Sequence, residues 1–271
     1  VAFFKKMLAR VGIGNVDIDT QFHTEEFIPG EIVEGIIKAK GGSVEQKVDR
    51  IYFQIMTEYL KPVETDANRD GRTEVRLEKE SIVVANILLA ESLVFAPGEE
   101  LEIPFEFMLP HETPISIGVS PIWIRTGLDI NNAVDPSDRD DIEVLAHPHV
   151  AVIFEALEEL GLHLHQAENE YYPQADYHLP FIQNFEFIPY QNGEYRSTVD
   201  ELELVFYPDE DGVEIILEFD RKTRGFKGLM ADMLDLDESH ERYYFDAEEL
   251  EEGASSVADR FREIFDELLE G

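Results

Sequence analysis

The chain has 271 residues, is 44% hydrophobic with 18 Phe, and carries 59 acidic against 22 basic residues, a net charge of −37. That field repels nucleic acid, whose binding depends on Lys and Arg neutralising phosphates, and the composition is that of a globular chain with no apolar run long enough to span a bilayer. With no cysteine at all, disulfides and thiolate chemistry are excluded.

The first element is read from strict alternation. Val16, Ile18, Thr20 and Phe22 fall on one side, Asp17, Asp19, Gln21 and His23 on the other, the period of a half-buried antiparallel strand. In Phe27-Ile28-Pro29-Gly30-Glu31, Pro29 presets φ for the first central position of a turn and Gly30 supplies the positive φ of the second. The return run from Glu31 to Lys40 puts Val33, Gly35, Ile37 and Ala39 on one face. From Lys47 to Tyr59, Ile51, Phe53, Ile55 and Thr57 alternate with Tyr52, Gln54, Met56 and Glu58. Leu101, Ile103, Phe105, Phe107 and Leu109 alternate with Glu102, Pro104, Glu106 and Met108, and Pro104 predicts an edge strand or a bulge because proline cannot donate to a ladder. Pro121 to Ile130 is a further strand with Ile122, Ile124, Thr126 and Leu128 inward. Asp135 to Asp141 reads as an acidic loop, and Ile142 to Val144 as one more short strand.

His147-Pro148-His149 marks a domain boundary, giving an N-terminal domain over residues 1–146 and a C-terminal one over 147–271. Val150, Ile153, Leu157 and Leu160 have helical spacing, and Gly161 stops the helix. Leu202, Leu204 and Phe206 face away from Glu201, Glu203 and Val205. Val213, Ile215, Leu217 and Phe219 face away from Glu214, Ile216 and Glu218, with Pro208 to Gly212 as a hairpin loop. Asp246-Ala247-Glu248-Glu249 resembles a capping box, and Val257, Phe261, Ile264, Phe265 and Leu268 give a C-terminal amphipathic helix. The fold class is therefore all-β with a few short helices, built as antiparallel β-sandwiches.

Candidate sites are few. Asp66, Asn68, Asp70, Gly71 and Glu74 match part of a calcium loop, but the place of its bidentate Glu is taken by Leu77 and the flanks look like strands, so a solvated hairpin loop is the better reading. His147 with His149 and His163 with His165 have a spacing that puts two rings on one face of a strand, the second pair facing solvent opposite Leu162 and Leu164. No nucleophile, base and acid set can be assembled, so no enzyme, no cofactor and no metal centre is expected. Two cationic islands stand against the acid. Phe3, Phe4, Met7, Leu8 and Val11 recur at helical spacing with Lys5, Lys6 and Arg10 opposite, a helix suited to a partner or a membrane surface, or to docking on its own sandwich. Arg221, Lys222, Arg224 and Lys227 could dock an acidic or phosphorylated segment, or neutralise nearby acids such as Asp220.

Phe27–Gly35 resembles the proline-glycine-glutamate signature near the start of arrestin-like domains, and Ile103–Pro110 and Trp123–Ile130 resemble two of their later strands. Phe3-Phe4-Lys5-Lys6, Gly12–Thr20, Gly41–Gln46, Glu155–Gly161 and Glu218–Gly225 resemble, in the same order, the sporulation-control proteins known as stage-zero sporulation protein M. The resemblance implies two arrestin-like β domains and a regulatory, non-enzymatic scaffold role through protein partners, a second copy of the chain being one candidate. The alternative is a metal- or carbohydrate-binding accessory sandwich, for which there is one Trp, Trp123. The N-terminal segment is too short and too mixed for a secretory signal, which points to the cytoplasm. Dispersed acid, with Arg outnumbering Lys, fits a salt-rich interior where screening removes self-repulsion.

Overall fold

A computed structural model describes residues 16–65, 74–118, 120–130, 135–173, 179–220 and 241–270. The elements are β1 (Asp17–Phe22), β2 (Ile32–Lys40), β3 (Gln46–Thr65), β4 (Glu74–Phe95), β5 (Glu100–Met108), β6 (Ile122–Ile130), β7 (Ser137–Asp141), α1 (Pro148–Glu159), β8 (Leu162–Tyr171), β9 (Phe181–Pro189), a 3₁₀ turn (Glu194–Ser197), β10 (Glu201–Pro208), β11 (Gly212–Asp220), β12 (Glu241–Asp246), α2 (Ala247–Glu251) and α3 (Ala254–Glu270). The protein is mostly β, with its helices among the described residues confined to the second half. Two compact units share the chain. The first takes residues up to Thr57, then Ser81–Ile115 and Pro121–Leu145; the second takes Glu58–Glu80, Ser116–Ser120 and the chain from Ala146 onward.

In the first unit a sheet of order β1-β2-β5 faces strands β3, β6 and β7, with β4 paired to β3. The turn into β2 closes as its residues require: the Glu31 amide donates to the Ile28 carbonyl at 3.1 Å, around Gly30 at φ 83°. Val33, Ile37, Ile51, Phe53, Ile55, Ile124 and Leu128 are buried, and the Phe53 ring meets Phe105 edge to face at 4.8 Å. Inside this core the hydroxyls of Thr20 and Thr126 share a 2.6 Å hydrogen bond, so two buried polar groups satisfy each other between the layers. Pro104 lies on β5, at the edge of its sheet, where its missing donor costs nothing.

In the second unit the ladder runs β8-β9-β10-β11-β12, with Glu170 of β8 opposite Leu60 of β3 in parallel. The helices cover one face of it. Phe154 of α1 packs its ring against Phe185, Phe187 and Phe206, and Phe265 of α3 against Tyr195, Phe219 and Phe261. Helix α1 begins where Pro148 can sit without a donor and ends at Leu160, with Gly161 at φ 77°. Helix α2 uses half of the expected capping box. The Asp246 carboxylate accepts from the Glu249 amide at 2.9 Å, but the Glu249 carboxylate turns to Arg260, whose guanidinium also lies over the Phe245 ring.

Several expectations need correction. The acidic stretch Ser137–Asp141 is a strand, paired with β6 from Gly127↔Ser137 to Trp123↔Asp141. Ile142 to Val144 is not a strand, and Val144 makes a single parallel bridge to Phe27. Hydrophobic alternation cannot find a strand whose inward positions are Asp138 and Asp140. The hairpin after β10 is tighter than Pro208 to Gly212: both strands run to those residues, and Asp209 closes the turn by accepting from the amides of Asp211 and Gly212. The His147–His149 pair is not on a strand at all. His147 caps α1, and His149 sits in its first turn with the ring edge-on to His147 at 4.7 Å.

Candidate functional site

The face of the second unit's sheet opposite the described helices brings several acids together at buried and half-buried positions. Register sets it. Glu168 lies opposite Asn184, Glu170 opposite Ile182, Glu186 opposite Glu203, and Glu203 opposite Glu218. Because side chains alternate along each strand, these acids share one face with Ile182, Val205 and Ile216, which form a small buried apolar cluster with Tyr172 and Tyr207 packed against it. Asn184 (3% exposed) and Glu203 (6% exposed) are buried, and the Asn184 amide donates to Glu203 Oε2 at 2.9 Å. Desolvation, then the neighbouring charges of Glu203, Glu168 and Glu186, push the Glu170 carboxyl up to about 7, against a hydrogen bond from Asn184 that pulls the other way. Burial also raises Glu186, with His165 opposing and Glu168 adding to it.

A second acidic group lies in the first unit. Asp138 accepts from the Thr20 amide at 2.9 Å, tying β7 to β1. Asp140, whose Oδ2 has no hydrogen-bond partner, is raised to about 6 by burial and by Asp138, Asp19 and Asp141. These arrangements hold protons near neutrality and present negative charge. They align no nucleophile with a base.

The sequence-derived candidates fare unevenly. Phe3, Phe4, Lys5, Lys6, Met7 and Leu8, and Arg221, Lys222, Arg224 and Lys227, lie outside the described residues, as do Asp66, Asn68, Asp70 and Gly71. The strand-like flanks of that loop are strands, β3 and β4. His163 is half-buried and stacks on Tyr190 at 4.4 Å, while His165 is exposed beside a register shift between Leu164 and Gln166, so the two rings do not form the solvent-facing pair expected. Among the described residues no three His, Cys, Asp or Glu side chains gather to hold a metal ion. Trp123 is 5% exposed beneath the Arg139 guanidinium at 4.1 Å, so its ring is no platform for a sugar. Among the described residues no helix is long and apolar enough to cross a membrane. The acidic face itself was only half visible in the sequence. Glu203 is on the face expected for it, but its company of Glu168, Glu170, Asn184 and Glu186 is set by pairing between strands.

The chain matches the family described as SpoOM protein over residues 4–223. It is similar to the sporulation-control protein Spo0M of Bacillus subtilis (strain 168), 38% identical over 269 residues that cover 97% of this chain and 100% of the relative. The crystal structure of Spo0M, sporulation control protein, from Bacillus subtilis superposes with a TM-score of 0.80 at 37% identity, covering 94% of this chain and 99% of that one. The arrestin-like fold expected from the Pro29-Gly30 signature agrees with that match. By sequence and by fold, the chain belongs to the sporulation-control family, SpoOM protein.

Proposed function

We propose that this protein is a non-enzymatic regulator that acts as a scaffold for protein partners in the cytoplasm. The observation that carries the reading is near-full-length similarity, 38% identity over 97% of the chain, to a protein named for sporulation control. The chemistry of the described residues supports it. The buried pairs Thr20 with Thr126 and Asn184 with Glu203 bond to one another within the β framework. Contact surface would come from exposed sheet edges and from the two cationic islands at Lys5–Lys6 and Arg221–Lys227, the N-terminal one also suited to peripheral membrane contact.

Affinity capture of the tagged chain from its own cells, in high salt and across growth phases, tests the reading. A stoichiometric protein partner that is lost in Arg221→Glu/Arg224→Glu is the expected result. Absence of any such partner in every phase would refute the scaffold role.

A further inference from the structure

Asn192-Gly193 is the only Asn-Gly pair in the sequence; every other asparagine precedes a residue with a side chain. Asn192 is exposed at the tip of the turn that follows β9, where the Gly193 amide donates to the Tyr190 carbonyl at 2.8 Å. Packing reserves the second position of the pair for glycine. A β-carbon on Gly193 would lie 3.0 Å from the Gly161 carbonyl oxygen and 3.1 Å from that of Tyr190. The turn is drawn onto the end of α1 by a 2.8 Å bond from the Tyr190 amide to the Gly161 carbonyl. The arrangement that holds the turn therefore leaves the backbone nitrogen after Asn192 with no flanking side chain to shield it.

Going beyond the regulatory reading, we propose that Asn192 is a self-modifying site, at which the folded chain converts asparagine to aspartyl and isoaspartyl residues. The reaction needs nothing but water. The Gly193 nitrogen gives up its proton and attacks Cγ of Asn192. The N–Cγ bond forms, the Cγ–Nδ2 bond breaks, and the amide nitrogen takes up a proton and leaves as ammonia. Water then adds to either carbonyl of the cyclic imide and breaks its bond to the ring nitrogen, which regains a proton. Opening at Cγ leaves an aspartyl residue. Opening at the main-chain carbonyl leaves an isoaspartyl one, whose backbone runs through Cγ and is longer by a methylene. Because an amide must lose its proton first, the rate rises with pH. Attack also requires the Gly193 amide to be released from Tyr190, so opening of the exposed turn sets the pace.

The extra methylene has a structural target. The Gly193 carbonyl accepts from the Arg196 amide at 3.2 Å at the start of the 3₁₀ turn, whose Tyr195 is buried against the Phe265 ring of α3. Lengthening the chain just before Gly193 shifts a backbone already in close contact with Gly161, and so loosens the seat of Tyr195 and α3.

Incubation of the folded full chain at neutral and at mildly alkaline pH, followed by peptide mass mapping, tests the site. The peptide that holds Asn192 should gain the mass of an NH2-to-OH exchange sooner than any peptide holding another asparagine, and sooner at the higher pH. Enzymatic methyl transfer to isoaspartyl carboxylates should label the same peptide, and Asn192→Gln should abolish both signals there. Isomerisation at Asp211-Gly212 leaves the mass unchanged, so it is not mistaken for this reaction. An Asn192 that stays intact in the folded chain while converting in urea overturns the proposal, and so does conversion no faster than at the other asparagines. The isolated isoaspartyl form should melt below Asn192→Asp, which carries the charge without the methylene. Equal melting of the two would remove the link to Tyr195 and α3.

Discussion

Asn184 and Glu203, neighbours across strands β9 and β10, are joined by a 2.9 Å hydrogen bond from amide to carboxylate, with both residues almost wholly out of water. The bond partly compensates a carboxylate placed where Glu170 and Glu186 already crowd the same face. Asn184→Leu removes the donor and leaves a buried charge less well satisfied, so we expect a loss of about 2–3 kcal/mol, read from urea unfolding at neutral pH. Glu203→Gln, which keeps an acceptor and removes the charge, should cost less than Asn184→Leu. The reverse order would show that the hydrogen bond contributes little.

Glu170 gives stability a defined slope with pH. Its folded-state value, about 7, lies above the ordinary 4.5, so the native protein holds that proton more tightly than the unfolded chain does. The contribution is fully present below the unfolded value and is lost as pH rises through the folded one. Glu170→Gln cannot titrate. Its stability relative to the parent should therefore climb between those two pH values, by on the order of 2–3 kcal/mol, in melts taken across that window. A difference that stays flat with pH would remove Glu170 from the account.

Gly30 occupies the left-handed region at φ 83°, and a β-carbon there would lie 2.4 Å from Cε1 of His111. Gly30→Ala combines backbone strain with a clash that the His111 ring must move to relieve. We expect about 1–3 kcal/mol of destabilisation, with Gly98→Ala, where φ is also positive but nothing lies within 4 Å, costing less. Thermal melts of the two variants side by side decide it.

Phe265 anchors α3 to the second unit, fully buried against Tyr195, Phe219 and Phe261. Phe265→Ala should cost about 3–5 kcal/mol. Native-state hydrogen exchange should show the loss first in α3.

Charge sets the last expectation. At a net −37 the folded chain repels itself, and added ions relieve that, so the unfolding midpoint should rise between low salt and molar KCl. A midpoint that is unchanged or falls would count against a salt-rich setting.

How much of this was legible in the sequence depends on where the information is held. Strands with one wet and one dry face declared themselves, and the inward positions Val33, Ile37, Ile51, Phe53 and Ile55 are all buried. Local chemistry was equally clear at Pro29-Gly30, Pro104 and Gly161, because each acts through its own backbone. Strand β7 was hidden, since its inward residues are Asp138 and Asp140. Most of β4 was hidden too: the run Ile82 to Ala90 has no period that separates a strand from a buried helix. The acidic face was legible only in part. That Glu203 shares a face with Glu201 follows from alternation, but that it meets Asn184 and Glu186 depends on register between strands far apart in the chain.

Trp123 is the one tryptophan, buried on β6 beneath Arg139. Its emission therefore reports on the first unit alone, while the far-ultraviolet signal averages over every strand and helix. The protein carries its own local probe, with no label needed. If the two signals melt together, the units unfold as one cooperative block. If the fluorescence moves first or last, the order in which the halves come apart can be read directly.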